Sequence, residues 1–161
     1  MAPSFSIRRA TAEDAVELGR LGAMLMRTHY AFDAQRFLSP GEAPEKGYAS
    51  FLRSQLRQPD VVVFVATLTG GDVAGYVYAG LEPTSWKELR GEAGFVHDVA
   101  VDPSARRLGI AAALLEAAME WLKEQGAPRV VLWTAEQNAD AQRLFARVGF
   151  RRTMIEMTRE L

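Results

Sequence analysis

The sequence predicts an α/β fold in which a mixed central sheet carries helices on both faces. Three observations predict it. Two β-branched runs flank Gly70 and Gly71, the signal of an antiparallel hairpin. A strand over residues 95–101, a long Ala- and Leu-rich helix and a strand over residues 129–134 then follow, the order of a right-handed parallel crossover. Helical periodicity lies both before the hairpin and within the crossover, so helices must cover both faces of the sheet.

Taken in order, residues 4–9 read as a short strand. Thr11 reads as an N-cap with Glu13 and Asp14 in the first turn, where carboxylates suit the helix dipole. Val16, Leu18, Leu21, Met24 and Leu25 keep helical spacing, and that helix runs to about Tyr30. Residues 39–44 are a loop by composition. Tyr48, Phe51, Leu52 and Leu56 predict a second helix, stopped near Pro59. The hairpin strands are residues 61–68 and 73–81, followed by a polar loop over 82–92 that holds Trp86. Residues 95–101 form the next strand, ended by Asp102 and Pro103. The helix over residues 110–125 is closed by Gly126 and Pro128, and a strand follows over 129–134. A helix over 139–148 ends at Gly149, and residues 152–158 alternate as a last strand does. No internal repeat or linker interrupts the chain, so one domain over residues 1–161 is expected.

Composition excludes several functions. With 161 residues, 48% hydrophobic and 24% charged, the chain has the make-up of an ordinary globular protein. A formal net charge of -1 with scattered basic residues offers no footprint for nucleic acid, nor an attraction to an anionic membrane. The absence of cysteine removes disulfides, thiolate metal sites and an acyl-cysteine route. His29 and His97 are the only histidines, and no metal-ligand spacing appears, so no metal is expected. The opening residues Met1, Ala2, Pro3, Ser4 and Phe5 lack the layout of a signal peptide, and the apolar run over 61–66 is too short to span a bilayer. The expected compartment is the cytoplasm.

The most informative stretch joins a strand to a helix through Arg106, Arg107, Leu108, Gly109, Ile110 and Ala111. A helix start leaves N–H groups unpaired and carries partial positive charge, which suits a phosphate. Gly109 lets the backbone approach that phosphate, and the two arginines add charge-assisted contacts. A basic surface turn with a glycine at a helix start is the other reading of the same residues. Neither the P-loop nor the dinucleotide-binding glycine pattern occurs anywhere in the chain.

These six residues match the Arg/Gln-x-x-Gly-x-Gly/Ala signature of the GNAT-type N-acetyltransferases. Trp133 and Thr134, then Asn138, Ala141, Leu144, Phe145, Gly149 and Phe150, resemble the family's second motif, and residues 4–14 resemble its opening strand and first helix. Only residues 30–59, on the acceptor side, are left without a match. The resemblance implies acetyl-CoA as cosubstrate, with its pyrophosphate on the backbone of Arg107, Leu108, Gly109, Ile110 and Ala111. It implies that the pantetheine arm pairs with the backbone of Val99, Ala100 and Val101, that Asn138 hydrogen-bonds it, and that Phe145 lies along the thioester end. A helix cap and a core aromatic are the structural readings of Asn138 and Phe145. A homodimer is expected because the family commonly forms one, and apolar residues of the last strand can support it.

The implied reaction is direct attack of a primary amine, on a small molecule or a protein, in a ternary complex. The amine must first lose a proton from a group whose ordinary pKa is about 10.4. His97 and Asp98, on the strand leading to the phosphate turn, are the candidate bases. Alternation along a strand predicts that they point to opposite faces. His97 has an ordinary pKa of about 6.5, suited to proton work near neutrality. A histidine satisfied by the backbone, and an Asp98 that pairs with an arginine or relays through water, are the competing readings. Glu82 and Glu92 are lesser candidates. Phe145 departs from the family, which often has a tyrosine there to protonate the sulfur, so that acid must be another group, a water or nothing. His29, Tyr30, Phe32, Asp33 and Arg36 form a polar and aromatic cluster expected to line the acceptor's way in. The alternative function is a non-catalytic module that binds acyl-CoA and regulates a partner.

Overall fold

Residues 4–161 are described by the computed structural model; Met1, Ala2 and Pro3, read above for a signal layout, lie outside them. The first strand, β1 (Phe5–Arg9), is followed by a short 3₁₀ turn over Ala12–Asp14. Asp14 is buried there, accepts the Thr11 N–H at 2.8 Å and holds the Arg8 guanidinium at 2.8 and 2.9 Å. This polar knot starts α1 (Ala15–Phe32), and α2 (Pro44–Gln55) packs back against it. Pro44 opens α2 at a position where its missing N–H has no helical partner to lose. The hairpin forms as expected, with β2 (Val61–Leu68) antiparallel to β3 (Val73–Glu82). Then come β4 (Ala93–Val101), a 3₁₀ turn over Pro103–Ala105, α3 (Ile110–Glu124), β5 (Val130–Leu132) and α4 (Ala139–Arg147).

The five strands lie in the order β1-β2-β3-β4-β5, antiparallel through β4 and parallel between β4 and β5. The period of two divides the hairpin between two cores. Val62, Ala66 and Val77 join Leu114, Leu115, Leu122 and Phe145 on the α3/α4 side. Val63, Val65 and Tyr76 join Leu18, Leu21 and Leu52 on the α1/α2 side. Each of those three leucines is fully enclosed, which stabilises the fold by about 1.5–3 kcal/mol per side chain.

Two features of this sheet position the site. The β4–β5 ladder covers only Gly94 to Val96 against Val130 to Leu132. Beyond Val96 the two strands part, and the backbone of β4 runs on to Val101 with β3 on one side and, among the described residues, no strand on the other. The second feature is a close approach of α1 to α2. A Cβ placed on Gly22 would lie 2.0 Å from the ring of Tyr48, so the glycine is what lets that ring rest on α1.

The last strand expected over residues 152–158 is not formed. Residues 151–161 are exposed throughout and have no strand partner. Alternation supplies a strand's two faces but not the neighbouring edge a strand needs, and here the segment is drawn elsewhere, to Arg36 in the α1–α2 connection. Among the described residues, no helix is long and apolar enough to cross a membrane.

Candidate active site

The parted end of β4 carries the candidate bases, and the structure corrects the expectation that they face opposite ways. Tyr78 pairs with Asp98, but the next β3 residue, Ala79, pairs with Val96. His97 is therefore an extra residue in β4, a bulge that breaks the alternation. Asp98 turns toward Tyr76 and Tyr48 on the α1/α2 side. His97 stacks against the ring of Tyr78, 4.8 Å away, on that same side. The bulge thus presents two titratable side chains, neighbours in sequence, to one face.

Asp98 is held from two elements. The Tyr76 hydroxyl of β3 donates to its Oδ2 at 3.0 Å, and the Tyr48 hydroxyl of α2 donates to the same oxygen. No side chain among the described residues donates to Oδ1. Burial raises the carboxyl pKa above the ordinary carboxylate range, against the two hydroxyls, which favour its charged form. Burial, followed by the negative charge of Asp98, also raises Tyr48 and Tyr76, so both remain protonated donors. The same two causes push Tyr78 up to about 12, and its hydroxyl donates to Gln55 at 2.9 Å.

His97 opens on a cleft of about 220 Å³ lined by Glu82, Glu88, Arg90, Phe95 and Trp133. Its Nε2 lies 3.3 Å from Glu82, and Phe95 stacks on its other flank at 5.3 Å. Trp133 meets Phe95 edge-on at 5.5 Å. Glu88 is occupied by Arg90 at 2.7 Å, which leaves Glu82 as the carboxylate facing His97.

At the other end of the parted strand, Asp102 caps the 3₁₀ turn through the N–H and hydroxyl of Ser104 and pairs with Arg20 at 2.6 Å. Those partners, Ser104 first, hold its carboxyl down at about 2. The following turn takes positive φ at Arg107 (65°) and at Gly109 (83°) before α3 begins. A Cβ on Gly109 would meet nothing within 4 Å, so the space in front of the helix start is open. Ile110 is buried in the core behind it, and Leu108 packs partly against that core. Arg106 and Arg107 are exposed and in no ion pair among the described residues. A turn with free amides, open space and two unpaired cations fits a phosphate group.

The remaining expected residues are placed as follows. Asn138 caps α4, its Oδ1 accepting the Ala141 N–H at 3.2 Å. Phe145 is 8% exposed within the α3/α4 core, edge-on to Phe150. His29 donates Nδ1 to the Leu25 carbonyl at 2.8 Å and packs edge-on against Phe32 and Phe37. Tyr30 is at the surface, and Arg36 is engaged by Glu156 at 2.5 and 2.7 Å. His29, Tyr30, Arg36 and Glu92 are not among the residues that line the cleft. Sequence reasoning missed Tyr48, Tyr76 and Tyr78. The signal for two of them is legible: Tyr76 and Tyr78 share one face of an otherwise apolar strand, and buried phenols need a polar partner. Among the described residues, no three His, Asp or Glu side chains gather as a metal site would require.

The sheet thus parts at its parallel pair, with an open basic turn at one end of the freed edge of β4 and the titratable side chains of His97 and Asp98 at the other. The chain belongs to the acetyltransferase (GNAT) family, whose model matches residues 26–150. It is 27% identical to an uncharacterized N-acetyltransferase of Methanocaldococcus jannaschii, over 91% of this chain and 61% of the relative's length. It is 32% identical to an N-alpha-acetyltransferase of Sulfurisphaera tokodaii, over 70% of each. In fold it resembles an aminoglycoside N-acetyltransferase solved in complex with CoA, with a TM-score of 0.80 and 18% identity over 100% of this chain and 97% of that one.

Proposed function

We propose that this protein transfers an acetyl group from acetyl-CoA to a primary amine, by direct attack in a ternary complex in the cytoplasm. The observation that supports it most is the parting of β4 from β5 after Val96, which frees one edge of Val99, Ala100 and Val101 between the bulge and the phosphate turn. The pantetheine arm pairs with that edge, and the pyrophosphate rests on the amides of the turn, from Arg107 to Ala111. Asn138 and Phe145 approach the arm from α4.

In the reaction a C–N bond forms, the thioester C–S bond breaks, one ammonium proton is lost to solvent and a second ends on the thiol. Strand N–H groups near Val99 face the thioester oxygen and donate to it. Asp98, through its free Oδ1, receives a hydrogen bond from the acceptor nitrogen and fixes its position. His97, which faces the cleft, takes the proton and passes it to water, and Glu82 stabilises the resulting imidazolium. A thiol with an ordinary pKa of about 8.5 is a tolerable leaving group without an acid at position 145. The same reading takes a second copy of the chain as a partner.

The test is thiol release from acetyl-CoA against a panel of amines: an aminoglycoside, a polyamine, free amino acids and a lysine peptide. Wild type is compared with Asp98→Asn, His97→Ala and Gly109→Trp. Release that needs an amine, falls by about 10²–10⁴-fold in His97→Ala, falls also in Asp98→Asn and vanishes in Gly109→Trp supports the proposal. Tight CoA binding with no release from any amine refutes it and favours a regulatory acyl-CoA-binding module.

A further inference from the structure

The cleft beside His97 holds one unmatched charge and a row of rings. Tyr48, Phe51, Tyr78, His97, Phe95 and Trp133 follow one another with ring centres 4.8–6.0 Å apart, a continuous aromatic row from α2 across the bulge to just past β5. Its two ends are open, Phe51 being 44% and Trp133 69% exposed. Aromatic faces attract cations, and one already sits here: the Arg90 guanidinium lies 5.5 Å from the centre of Phe95. Arg90 is otherwise engaged by Glu88 at 2.7 Å and by the carbonyls of Pro83 and Gly91. Glu82 lines the same cleft and pairs with no lysine or arginine among the described residues. Its Oε1 faces the His97 ring at 3.3 Å and leaves Oε2 for a ligand. After burial, the charges that raise the Tyr78 phenol are likewise all carboxylates, those of Asp98, Glu82 and Asp60. At about 220 Å³ the cleft is smaller than the roughly 300–1,000 Å³ of a drug-sized site. It suits a slender molecule that brings a positive charge of its own.

We propose that the acceptor is a slender aliphatic di- or polyamine, whose far ammonium rests against Glu82 and the face of Trp133 while its near amine meets Asp98 and His97. This rests on the acyl-transfer reading and names the substrate class of the same site. The near nitrogen forms the C–N bond as the thioester C–S bond breaks. It gives one proton to solvent and one to the thiol, and the far nitrogen keeps its charge throughout. That charge acts in two ways. It makes a charge-assisted hydrogen bond to a carboxylate that has no other cation beside it at rest. It also disfavours a second positive charge nearby, which eases loss of the near amine's proton. A carboxylate at the far end of the acceptor would instead meet Glu82 as a like charge. Glu82 is thus a specificity-determining residue, and Trp133 supports it with a ring face.

The test compares kcat/KM, from thiol release, for diaminobutane, butylamine and aminobutyrate, which share a four-carbon chain and differ only at its far end. In the wild-type chain diaminobutane is expected to exceed butylamine by about 10–100-fold, beyond the twofold of its two equivalent amines, and aminobutyrate to fall below both. Glu82→Gln should bring the diaminobutane-to-butylamine ratio close to that twofold. The ratio is the readout because any effect of Glu82 on His97 acts on both acceptors alike and cancels. Trp133→Leu should lower the ratio about 2–5-fold, and Trp133→Phe should keep most of it. Equal turnover of diaminobutane and butylamine, or a preference for aminobutyrate, overturns the proposal and leaves the acyl-transfer reading standing. A ratio unchanged in Glu82→Gln overturns it as well, and the wild-type comparison decides even where a variant fails to fold. Absence of turnover with every acceptor refutes the acyl-transfer reading instead. Calorimetry on the CoA-bound protein then decides: diaminobutane binding that is lost in Glu82→Gln keeps the cationic site, and no binding to the wild-type chain removes it.

Discussion

Replacing Gly22 by alanine drives a methyl group into the ring of Tyr48. The new Cβ would lie 2.0, 2.3 and 2.6 Å from three ring carbons, where carbon atoms rest at about 3.5–4.0 Å. Relief requires the ring to move by roughly 1.5 Å, which disturbs the hydrogen bond from its hydroxyl to Asp98. Overpacking of this kind costs about 1–3 kcal/mol, and the lost hydrogen bond to a carboxylate costs about 1.5–3 kcal/mol. Alanine is the better helix former by about 1 kcal/mol. The net expectation is a destabilisation of about 1.5–5 kcal/mol, read as a lower urea midpoint at unchanged slope. In a Tyr48→Ala background the clash and the hydrogen bond are both absent. Gly22→Ala should then stabilise by about 1 kcal/mol. A single Gly22→Ala chain as stable as wild type, or a cost that survives in the Tyr48→Ala background, would refute the reasoning.

Tyr48→Phe removes a hydroxyl that favours the charged form of Asp98, so the carboxyl pKa should climb further above the ordinary range. The acid limb of the pH–rate profile should shift to higher pH, and an unmoved limb would separate Asp98 from the chemistry. Asp102 is held down at about 2, so its contribution is present above the ordinary carboxylate pKa of 3.8 and is lost as pH falls toward 2. Discounted for the partial exposure of Arg20, Asp102→Ala should destabilise by about 1 kcal/mol at pH 7, with the difference closing between pH 4 and pH 2 in urea titrations. Gly109→Ala should cost about 1–2 kcal/mol from its left-handed backbone alone, although the added methyl touches nothing; a neutral result in thermal melts would contradict the φ of 83°.

The parts of this molecule that depend on short-range chemistry were readable from the residues. The Gly-Gly hairpin, the Asp102 stop and the helix that begins after Gly109 each carry a local signal, and each formed. The bulge at His97 carries no such signal: no glycine or proline marks it, and the polar pair His97 and Asp98 in an apolar strand reads equally as ordinary alternation, because the bulge arises from how β4 registers against β3. The partners of Asp98 come from residues 22 and 50 positions away, so only the packing of α2 and β3 brings them together. The tail shows the opposite failure. Its alternation was legible, but a strand exists only where an edge receives it, and residues 151–161 meet no such edge within their own chain.

The extra residue in β4 acts as a phase shift along the strand. Upstream and downstream of His97, odd and even positions exchange their meaning: Val96 packs into the α3/α4 core, as Val99 does, although their numbers differ in parity. Position 97 stands outside both counts and has no ladder partner on β3, although its ring rests against Tyr78 and faces Glu82 of that strand. A substitution there changes what the cleft offers an incoming molecule and leaves the sheet's pairing untouched. Substitutions at Val96 or Val99 do the reverse. A lineage or a designer seeking a different reaction from this scaffold therefore has one site in β4 at which chemistry can be exchanged without renegotiating the fold.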